Sequence, residues 1–139
     1  MKLDTCIFCK IANGEIPSVA VYEDEDFRAI LDLGPAAEGH TLILPKEHFC
    51  DVTELSDEIG AKVLLVAAKI GRAMKEGLGC AGFNLVQNNG AAAGQTVMHF
   101  HLHVIPRYEN GPEMVSWTPG ETTSEAMQET ANKIKGALK

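Results

Sequence analysis

Hydrophobic and polar positions along the 139-residue chain repeat with two different periods. Between Ser56 and about Gly77, apolar residues recur at steps of three and four, which is the spacing of an amphipathic helix. Asp57 and Glu58 near its start and Lys75 near its end suit the helix dipole, so a long helix with Gly77 as its stop is predicted. Its apolar positions are Ile59, Val63, Val66, Ala67, Ile70 and Met74.

Other segments carry the alternation or the short apolar runs that are typical of β-strands. The acidic segment 23–26 and the segment 34–39 are predicted turns between neighbouring strands. Because no helical crossover separates the early strands, we expect an α+β fold with an antiparallel sheet. The strand candidates are VAV (19–21), FRAILDL (27–33), HTLILP (40–45), FNLVQN (83–88) and VMHFHLHVI (97–105).

Short helices are predicted at both ends of the chain. Thr5 can cap a helix that runs from Cys6 to Asn13. A second helix is indicated near the C-terminus, where apolar residues recur at helical spacing. Without an internal repeat or a long linker, residues 1–139 are expected to form a single domain, with 121–139 as a C-terminal helical extension. The apolar positions of this extension are Met127, Ala131, Ile134 and Leu138.

The charge balance excludes some classes of partner. Twelve Lys and Arg residues against 19 Asp and Glu residues give a net charge of −7, which repels nucleic acid polymers and anionic membranes. The chain has neither an apolar run of the ~20 residues that a membrane span needs nor a secretion signal at its start. A cytoplasmic, reducing location is therefore expected, in which the four cysteines stay reduced.

Three of the five histidines occupy alternate positions in one strand candidate. His99, His101 and His103 would then share one face, while Phe100, Leu102 and Val104 anchor the other. One interpretation is a catalytic zinc centre with three histidine ligands. Another is covalent catalysis by the central ring, whose second nitrogen must be held by a backbone carbonyl. Ordinary surface or core histidines are a third alternative.

The segment before the histidines, NNGAAAGQTV (88–97), favours an anion over a metal. Gly90 and Gly94 permit close backbone approach, and Gln95 and Thr96 add an amide and a hydroxyl beside the N–H groups. These groups can cradle a phosphate, although a flexible hairpin turn has the same composition.

The pair Cys6-x-x-Cys9 has the spacing that places two thiols on one face of a short helix. They could therefore bind one metal ion, or they could be two reduced cysteines or a redox pair. Cys50 is a further candidate ligand, and Cys80, between Gly79 and Ala81, is expected to be a packed core residue.

Together, these motifs make the chain similar to the histidine triad (HIT) family of nucleotide-binding proteins. The resemblance covers nearly the whole chain up to Gly111, and it is carried by CIFCKIANGEIP, YEDEDFRAILDLGPAAEGHTLILPKEH and NLVQNNGAAAGQTVMHFHLHVIPR. It implies a five-stranded antiparallel sheet that carries a long helix, and a two-fold homodimer. It also implies the hydrolysis or transfer of nucleoside monophosphoryl groups.

By the same resemblance, His101 is the nucleophile that attacks the α-phosphorus. His103 is a phosphate ligand and donor beside it, and His40 supports the triad from a neighbouring strand. The resemblance also places other residues around the phosphate or the leaving group, namely Asn88, Gly94, Gln95 and Thr96.

Asp32 matches the ribose-binding residue of the family, although an Asp at the start of the turn Leu33-Gly34-Pro35 has a structural interpretation too. A carboxylate can accept hydrogen bonds from two adjacent hydroxyls. Apolar residues match the positions that enclose the base, although core packing is an alternative for each, and apolar contacts alone do not select a particular base. These residues are Phe8, Ile11, Ile30 and Leu42.

The cysteine pair resembles the zinc-bearing branch of the family. There, His48 and His99 would join Cys6 and Cys9 in a closed Cys2His2 site. Such a zinc ion is structural because it has no open position for water. The resemblance therefore implies that catalysis needs no metal.

The resemblance implies an enzyme that hydrolyses purine nucleoside 5'-phosphoramidates through a nucleotidyl-histidine intermediate and releases the monophosphate. The segment 116–120 resembles the tail of the phosphoramidase branch, which favours this activity. The alternatives are a dinucleoside polyphosphate hydrolase or nucleotidyl transferase, a nucleotide-binding scaffold with incidental activity, and a zinc hydrolase.

Overall fold

A five-stranded antiparallel sheet forms the centre of the molecule, as predicted. The structure is a computed structural model that describes residues 1–112 and 116–139. The spatial order of the strands is β1-β2-β3-β5-β4, so β1 and β4 are the edge strands. The strands are β1 (Ala20–Glu23), β2 (Phe27–Leu31), β3 (Thr41–Pro45), β4 (Gly82–Val86) and β5 (Leu102–Arg107).

Helix α2 (Asp57–Leu78) covers one face of the sheet and builds the main core. All six of its predicted apolar positions are buried. The Ser56 hydroxyl caps its start by accepting from the Ile59 N–H at 3.3 Å. The helix runs past the predicted stop at Gly77 and ends at Gly79, whose φ of 67° is left-handed. The prediction was wrong because Gly77 can remain helical, whereas the left-handed turn falls two residues later.

The strand register separates the two faces of the sheet. Ala29 pairs with Ile43, and Ile43 pairs with Leu102, and these three side chains lie in the core under α2. On the opposite face, Leu42 pairs with His103. The sheet therefore presents one histidine of the triad on the face that is turned away from α2.

Helix α1 (Ile7–Ala12) packs on this second face, where it forms a small cluster with β2 and β3. The helix begins one residue later than predicted, because the Cys6 side chain, not Thr5, caps it by accepting from the Cys9 N–H at 3.3 Å.

Strand β5 begins at Leu102, so the predicted strand over 97–105 was wrong in its first half. Its pairing with β3 ends at Ile43 and Leu102. Beyond that pair, Pro45 has no N–H, and its carbonyl accepts from the ring of His99 at 2.9 Å. The ladder cannot continue at that point. His99 lies in the bend over 97–99, and His101 lies directly ahead of the strand.

Helix α3 (Ser124–Ala137) confirms the predicted C-terminal helix, and it has no buried residue. The Thr123 hydroxyl caps its start by accepting from the Ala126 N–H at 3.1 Å. Within residues 1–112 and 116–139, no helix combines the length and the apolar composition that a bilayer crossing requires.

Candidate functional site

The ring of His101 is held in the orientation that a nucleophile requires. Its Nδ1 donates to the backbone carbonyl of His99 at 2.7 Å, so in the neutral form of the ring the lone pair lies on Nε2. The residue is only 6% exposed, and the Phe8 ring meets it edge-on with centroids 5.0 Å apart. Covalent catalysis by the central ring requires such a carbonyl contact, as the sequence predicted.

His103 lies beside His101, with ring centroids 5.1 Å apart. Its Nδ1 is 2.9 Å from Nε2 of His40, which extends from the start of β3. Burial lowers the pKa of His40. For His103, burial is the larger cause and the charge of His101 the next, and together they lower its pKa to about 4. Both rings are therefore neutral at physiological pH. The structure brings together the three histidines that the resemblance assigned to catalysis.

Asp32 stabilises the turn after β2 and also lies near His40. Its Oδ1 accepts from the Gly34 N–H at 2.8 Å, which confirms the turn interpretation. Its Oδ2 lies 3.5 Å from Nε2 of His40. The carboxylate can therefore shape the turn and still offer an oxygen to a ligand beside the histidines.

Loop 88–97 has the backbone freedom that the sequence predicted, because Gly90 and Gly94 have φ angles of 93° and 96°. A side chain at Gly94 would come within 3.6 Å of the Asn88 amide nitrogen, so these two residues lie close together. Thr96 is exposed. This position is compatible with the predicted phosphate contact, which stays a prediction.

The Gln95 amide is directed into the protein. Its oxygen accepts from the Gly90 N–H at 2.8 Å, and its nitrogen donates to the carbonyls of Cys50 at 2.8 Å and Val97 at 3.0 Å. With 3% exposure, Gln95 fixes the shape of the loop in this structure. Its assignment to the leaving group stays a prediction.

The residues assigned to the base lie together on the α1 side of the sheet. Ile30 and Leu42 belong to the buried cluster there, and Phe8 and Ile11 pack against it while partly exposed. The rings of Phe8 and His101 are perpendicular with centroids 5.0 Å apart, so this apolar patch adjoins the candidate nucleophile. Packing and base contact are both compatible with these positions.

The four predicted metal ligands converge on a second site. The donor atoms of Cys6, Cys9, His48 and His99 all lie within 4.8 Å of one another. Cys6 Sγ and Cys9 Sγ are each 3.4 Å from Nδ1 of His99, and Cys9 Sγ is also 3.4 Å from Nδ1 of His48. In a tetrahedral zinc site, neighbouring sulfur and nitrogen ligands lie about 3.6 Å apart. The spacing therefore fits the ion.

The surrounding hydrogen bonds also fit a cation. Nε2 of His99 donates to the Pro45 carbonyl, which leaves the Nδ1 lone pair directed at the thiols. Burial lowers the pKa of His99 to about 4, so this ring is neutral. The backbone N–H of Leu3 donates to Cys9 Sγ at 3.4 Å, as is typical around thiolate ligands.

This geometry excludes two of the alternatives that the sequence left open. His99 is directed at the cysteines and His103 at His40, so the three imidazoles of the triad do not converge on a single zinc ion. Cys50 is absent from the Cys2His2 group, and its backbone N–H donates to Glu54 Oε1 at 2.8 Å. Cys80 is 7% exposed in the main core, as predicted.

The sequence predicted a carbonyl at the central ring, but it did not identify the main-chain groups that orient the three rings. These are the carbonyls of Pro45 and His99 and the N–H of Ala36, which lies 2.9 Å from Nδ1 of His40. Backbone atoms are common to every residue, so only the fold reveals these roles.

Known proteins are similar to this chain in sequence and in architecture. The chain is 45% identical to an uncharacterized HIT-like protein, MJ0866, of Methanocaldococcus jannaschii, over 94% of this chain and 99% of that protein. It is 37% identical to the adenosine 5'-monophosphoramidase hnt1 of Schizosaccharomyces pombe, over 97% of this chain and 99% of that protein.

Solved structures agree with these relatives. A crystal structure of a HIT family protein from Bacillus anthracis superposes with a TM-score of 0.89 at 46% identity, covering 98% of this chain and 99% of that one. A Zn-bound histidine triad family protein from Mycobacterium smegmatis superposes with a TM-score of 0.74 at 38% identity, covering 96% and 98%. The HIT domain profile matches residues 13–110. With its histidine triad, its five-stranded sheet and these relatives, the chain belongs to the HIT domain family.

Proposed function

We propose that this protein hydrolyses nucleoside 5'-phosphoramidates and related nucleotidyl substrates, with release of the nucleoside monophosphate. The observation that carries the proposal is the 2.7 Å hydrogen bond from His101 Nδ1 to the His99 carbonyl, which leaves a lone pair on Nε2. The phosphoramidase name of the S. pombe relative supports the substrate class. The broader class of activity, that of a HIT-family nucleotide hydrolase, agrees with both observations.

In the first step, Nε2 of His101 attacks the α-phosphorus and forms an N–P bond while the bond to the leaving amine breaks. The electron pair of that broken bond leaves with the amine, which takes up a proton from solvent. In the second step, water attacks the same phosphorus, its proton goes to solvent, and the His101 N–P bond breaks. The ring returns to its starting state, and the monophosphate is released.

Groups around His101 support the phosphoryl charge and the nucleoside. His103 and the backbone of loop 88–97, with the Thr96 hydroxyl, would donate to the phosphoryl oxygens. The free oxygen of Asp32 would accept from the ribose hydroxyls. The apolar patch beside Phe8 would enclose the base, and we propose a purine because a large flat base covers more of that patch.

A structural zinc ion is the second part of the proposal. Cys6, Cys9, His48 and His99 would hold it, and it would tie α1 to the chain that carries the triad. The Zn-bound relative from M. smegmatis supports this assignment. An ion with four protein ligands binds no substrate, so we propose that catalysis proceeds without a catalytic metal.

We also propose a homodimer. Helix α2 exposes 61% of Leu64 and 65% of Leu65, and edge strand β4 exposes 42% of Leu85. Apolar side chains on a helix and on an unpaired edge strand are suited to a two-fold interface. We propose a single domain with 121–139 as an extension, and a reducing cytoplasmic compartment that keeps the zinc thiolates intact.

Intact-mass analysis tests the nucleophile. After rapid acid-free quenching of a reaction with adenosine 5'-phosphoramidate, we expect a mass increase of one adenylyl group that maps to His101. His101→Ala should lose turnover and the adduct while it retains most of its affinity for AMP. A normal rate in His101→Ala, or an adduct on another residue, would refute the assignment.

A panel of leaving groups separates the alternatives. Faster release from diadenosine polyphosphates than from phosphoramidates would favour a polyphosphate hydrolase, and capture of the adenylyl group by an added acceptor would favour a transferase. A scaffold would bind AMP and release no amine in the first turnover.

A further inference from the structure

We propose that the backbone N–H of Ala36 is a positioning group that sets the tautomer of His40 and, through His40, the tautomer of His103. His103 then presents Nε2–H, a hydrogen-bond donor, toward the bound substrate. The role at the substrate rests on the proposed function, whereas the tautomers follow from the hydrogen bonds alone.

The first step of the argument is the contact between Ala36 and His40. A backbone N–H can only donate, and this one lies 2.9 Å from Nδ1 of His40. Nδ1 must therefore carry the lone pair. A neutral imidazole has one N–H, so in His40 the proton lies on Nε2.

The second step transfers this constraint to His103. Nε2–H of His40 lies 2.9 Å from Nδ1 of His103, which must accept. The competing acceptor, Oδ2 of Asp32, is farther away at 3.5 Å. Since Nδ1 of His103 accepts, its single proton lies on Nε2.

Counting one proton on each ring requires that both rings are neutral. His40 is 5% exposed, and burial lowers its pKa. The same cause lowers the pKa of His103 to about 4. At neutral pH, each ring therefore carries a single proton, and the constraint passes from Ala36 to His103 without ambiguity.

The result is a pair of adjacent rings with opposite polarity. His101 donates through Nδ1 to the His99 carbonyl and exposes a lone pair on Nε2. His103, with its centroid 5.1 Å away, accepts through Nδ1 and exposes N–H on Nε2. A nucleophile that attacks phosphorus needs the first arrangement, and an oxygen that gains negative charge needs the second.

The same hydrogen bond argues against a metal ion in this cluster. Donor atoms of Asp32, His40 and His103 lie within 4.8 Å of one another, a spacing that would admit a cation. A cation on Nε2 of His40 would force that ring either to lose its proton or to give up the Ala36 contact. The cluster is therefore a hydrogen-bonded chain, unlike the Cys2His2 site.

The tautomers can be observed directly in the full-length, substrate-free protein. Two-bond ¹H–¹⁵N correlation spectra at neutral pH distinguish protonated from unprotonated ring nitrogens. We expect Nε2–H for His40 and His103 and Nδ1–H for His101. An Nδ1–H tautomer for His103, or a mixture of the two forms, would overturn the proposal.

A pair of proline variants tests the origin of the constraint. Ala36→Pro removes the N–H that contacts His40. Ala37→Pro makes the same change at a position whose N–H donates to no acceptor in the described part of the chain. Ala36→Pro should give mixed His103 tautomers and about a tenfold fall in kcat with little change in KM. Ala37→Pro should retain the wild-type tautomers and a kcat within about twofold.

Equal effects of the two proline variants on the His103 spectrum would contradict the role of Ala36. If Ala36→Pro does not fold, the wild-type spectrum still decides the proposal. Failure of the proposed function has a different signature: the expected tautomers would be seen, but no adenylyl adduct would form on His101.

Discussion

Two clusters that share the same histidine repeat have opposite hydrogen-bonding character. In the Cys2His2 cluster, His99 donates through Nε2 to the Pro45 carbonyl and directs the Nδ1 lone pair at the thiols of Cys6 and Cys9. Two residues beyond the nucleophile candidate, His103 directs its Nδ1 lone pair at an N–H of His40. The same side chain is thus suited to bind a cation in one cluster and to accept a hydrogen bond in the other.

The difference arises from the main chain. The Pro45 carbonyl accepts a hydrogen bond from His99 and so keeps the proton of that ring on Nε2, whereas the Ala36 N–H donates to Nδ1 of His40 and so places the proton of that ring on the opposite nitrogen. The chemical role of each histidine is therefore determined by the polarity of its backbone neighbour. Mutations in the two clusters should therefore affect different properties of the protein.

The largest expected effect is the loss of the cation cluster. Cys9→Ser replaces a sulfur ligand with a poor oxygen ligand, and we expect loss of bound zinc and a fall of about 3 kcal/mol or more in the free energy of unfolding. Elemental analysis and thermal unfolding measure these changes. Cys80→Ser is the matched control, because Cys80 is also buried but lies in the main core. Full zinc content in Cys9→Ser would show that the cluster is not a metal site.

The next effect concerns catalysis. His40→Asn can still accept from Ala36 but cannot reach His103, whereas His40→Gln can place an N–H near the position of Nε2. We expect kcat to fall about 10- to 100-fold in His40→Asn and clearly less in His40→Gln. Both variants should keep their zinc, as measured by elemental analysis. Zinc loss in these variants would show that the two clusters are not independent.

A smaller effect is the pH dependence of stability. Burial lowers the pKa of His103 to about 4, so the unfolded chain, with an ordinary His pKa of about 6.5, binds more protons between these values. Stability is complete above about pH 6.5 and decreases as the pH falls toward 4. Because His103 is partly exposed, its contribution is on the order of 1 kcal/mol. Denaturant unfolding of His103→Asn should therefore show a shallower loss with acid, and an unchanged slope would refute this contribution.

The smallest effect involves the ring between the clusters. Phe8 meets His101 edge-on at 5.0 Å and His99 at 6.1 Å between ring centroids. Phe8→Leu keeps an apolar side chain but removes both aromatic contacts, so we expect a loss of about 0.5–1 kcal/mol in unfolding free energy. Zinc content should be unchanged, and kcat should fall less than fivefold. A large change in either quantity would mean that Phe8 couples the clusters.

Much of the fold was predictable because it depends on local periodicity. All the positions of α2 that its apolar periodicity predicted to be in the core are buried. The alternation around the triad also correctly placed Phe100, Leu102 and Val104 in the core. The spacing of Cys6 and Cys9 likewise indicated that their thiols converge. In these cases, a single helix or strand period determines which side chains share a face.

Other features depend on contacts between distant segments. Strand β5 starts later than predicted because Pro45 lacks an N–H and its carbonyl accepts from the ring of His99. No pattern within 97–105 could show this contact. The Gln95 amide was expected near the leaving group, yet it forms hydrogen bonds to Gly90, Cys50 and Val97. The sequence alone does not show whether a glutamine amide contacts a ligand or the backbone of its own loop.

The main-chain contacts of the three rings have a consequence for protein engineering. Transplanting the segment HFHLHVI onto a foreign sheet would carry along the His99 carbonyl that orients His101, but it would leave the rings of His99 and His103 free to exchange their protons between both nitrogens. A useful graft would also have to carry the carbonyl of Pro45 and the turn that contains Ala36, which lie outside the segment. The smallest transferable unit is therefore a constellation of three chain segments, not a heptapeptide.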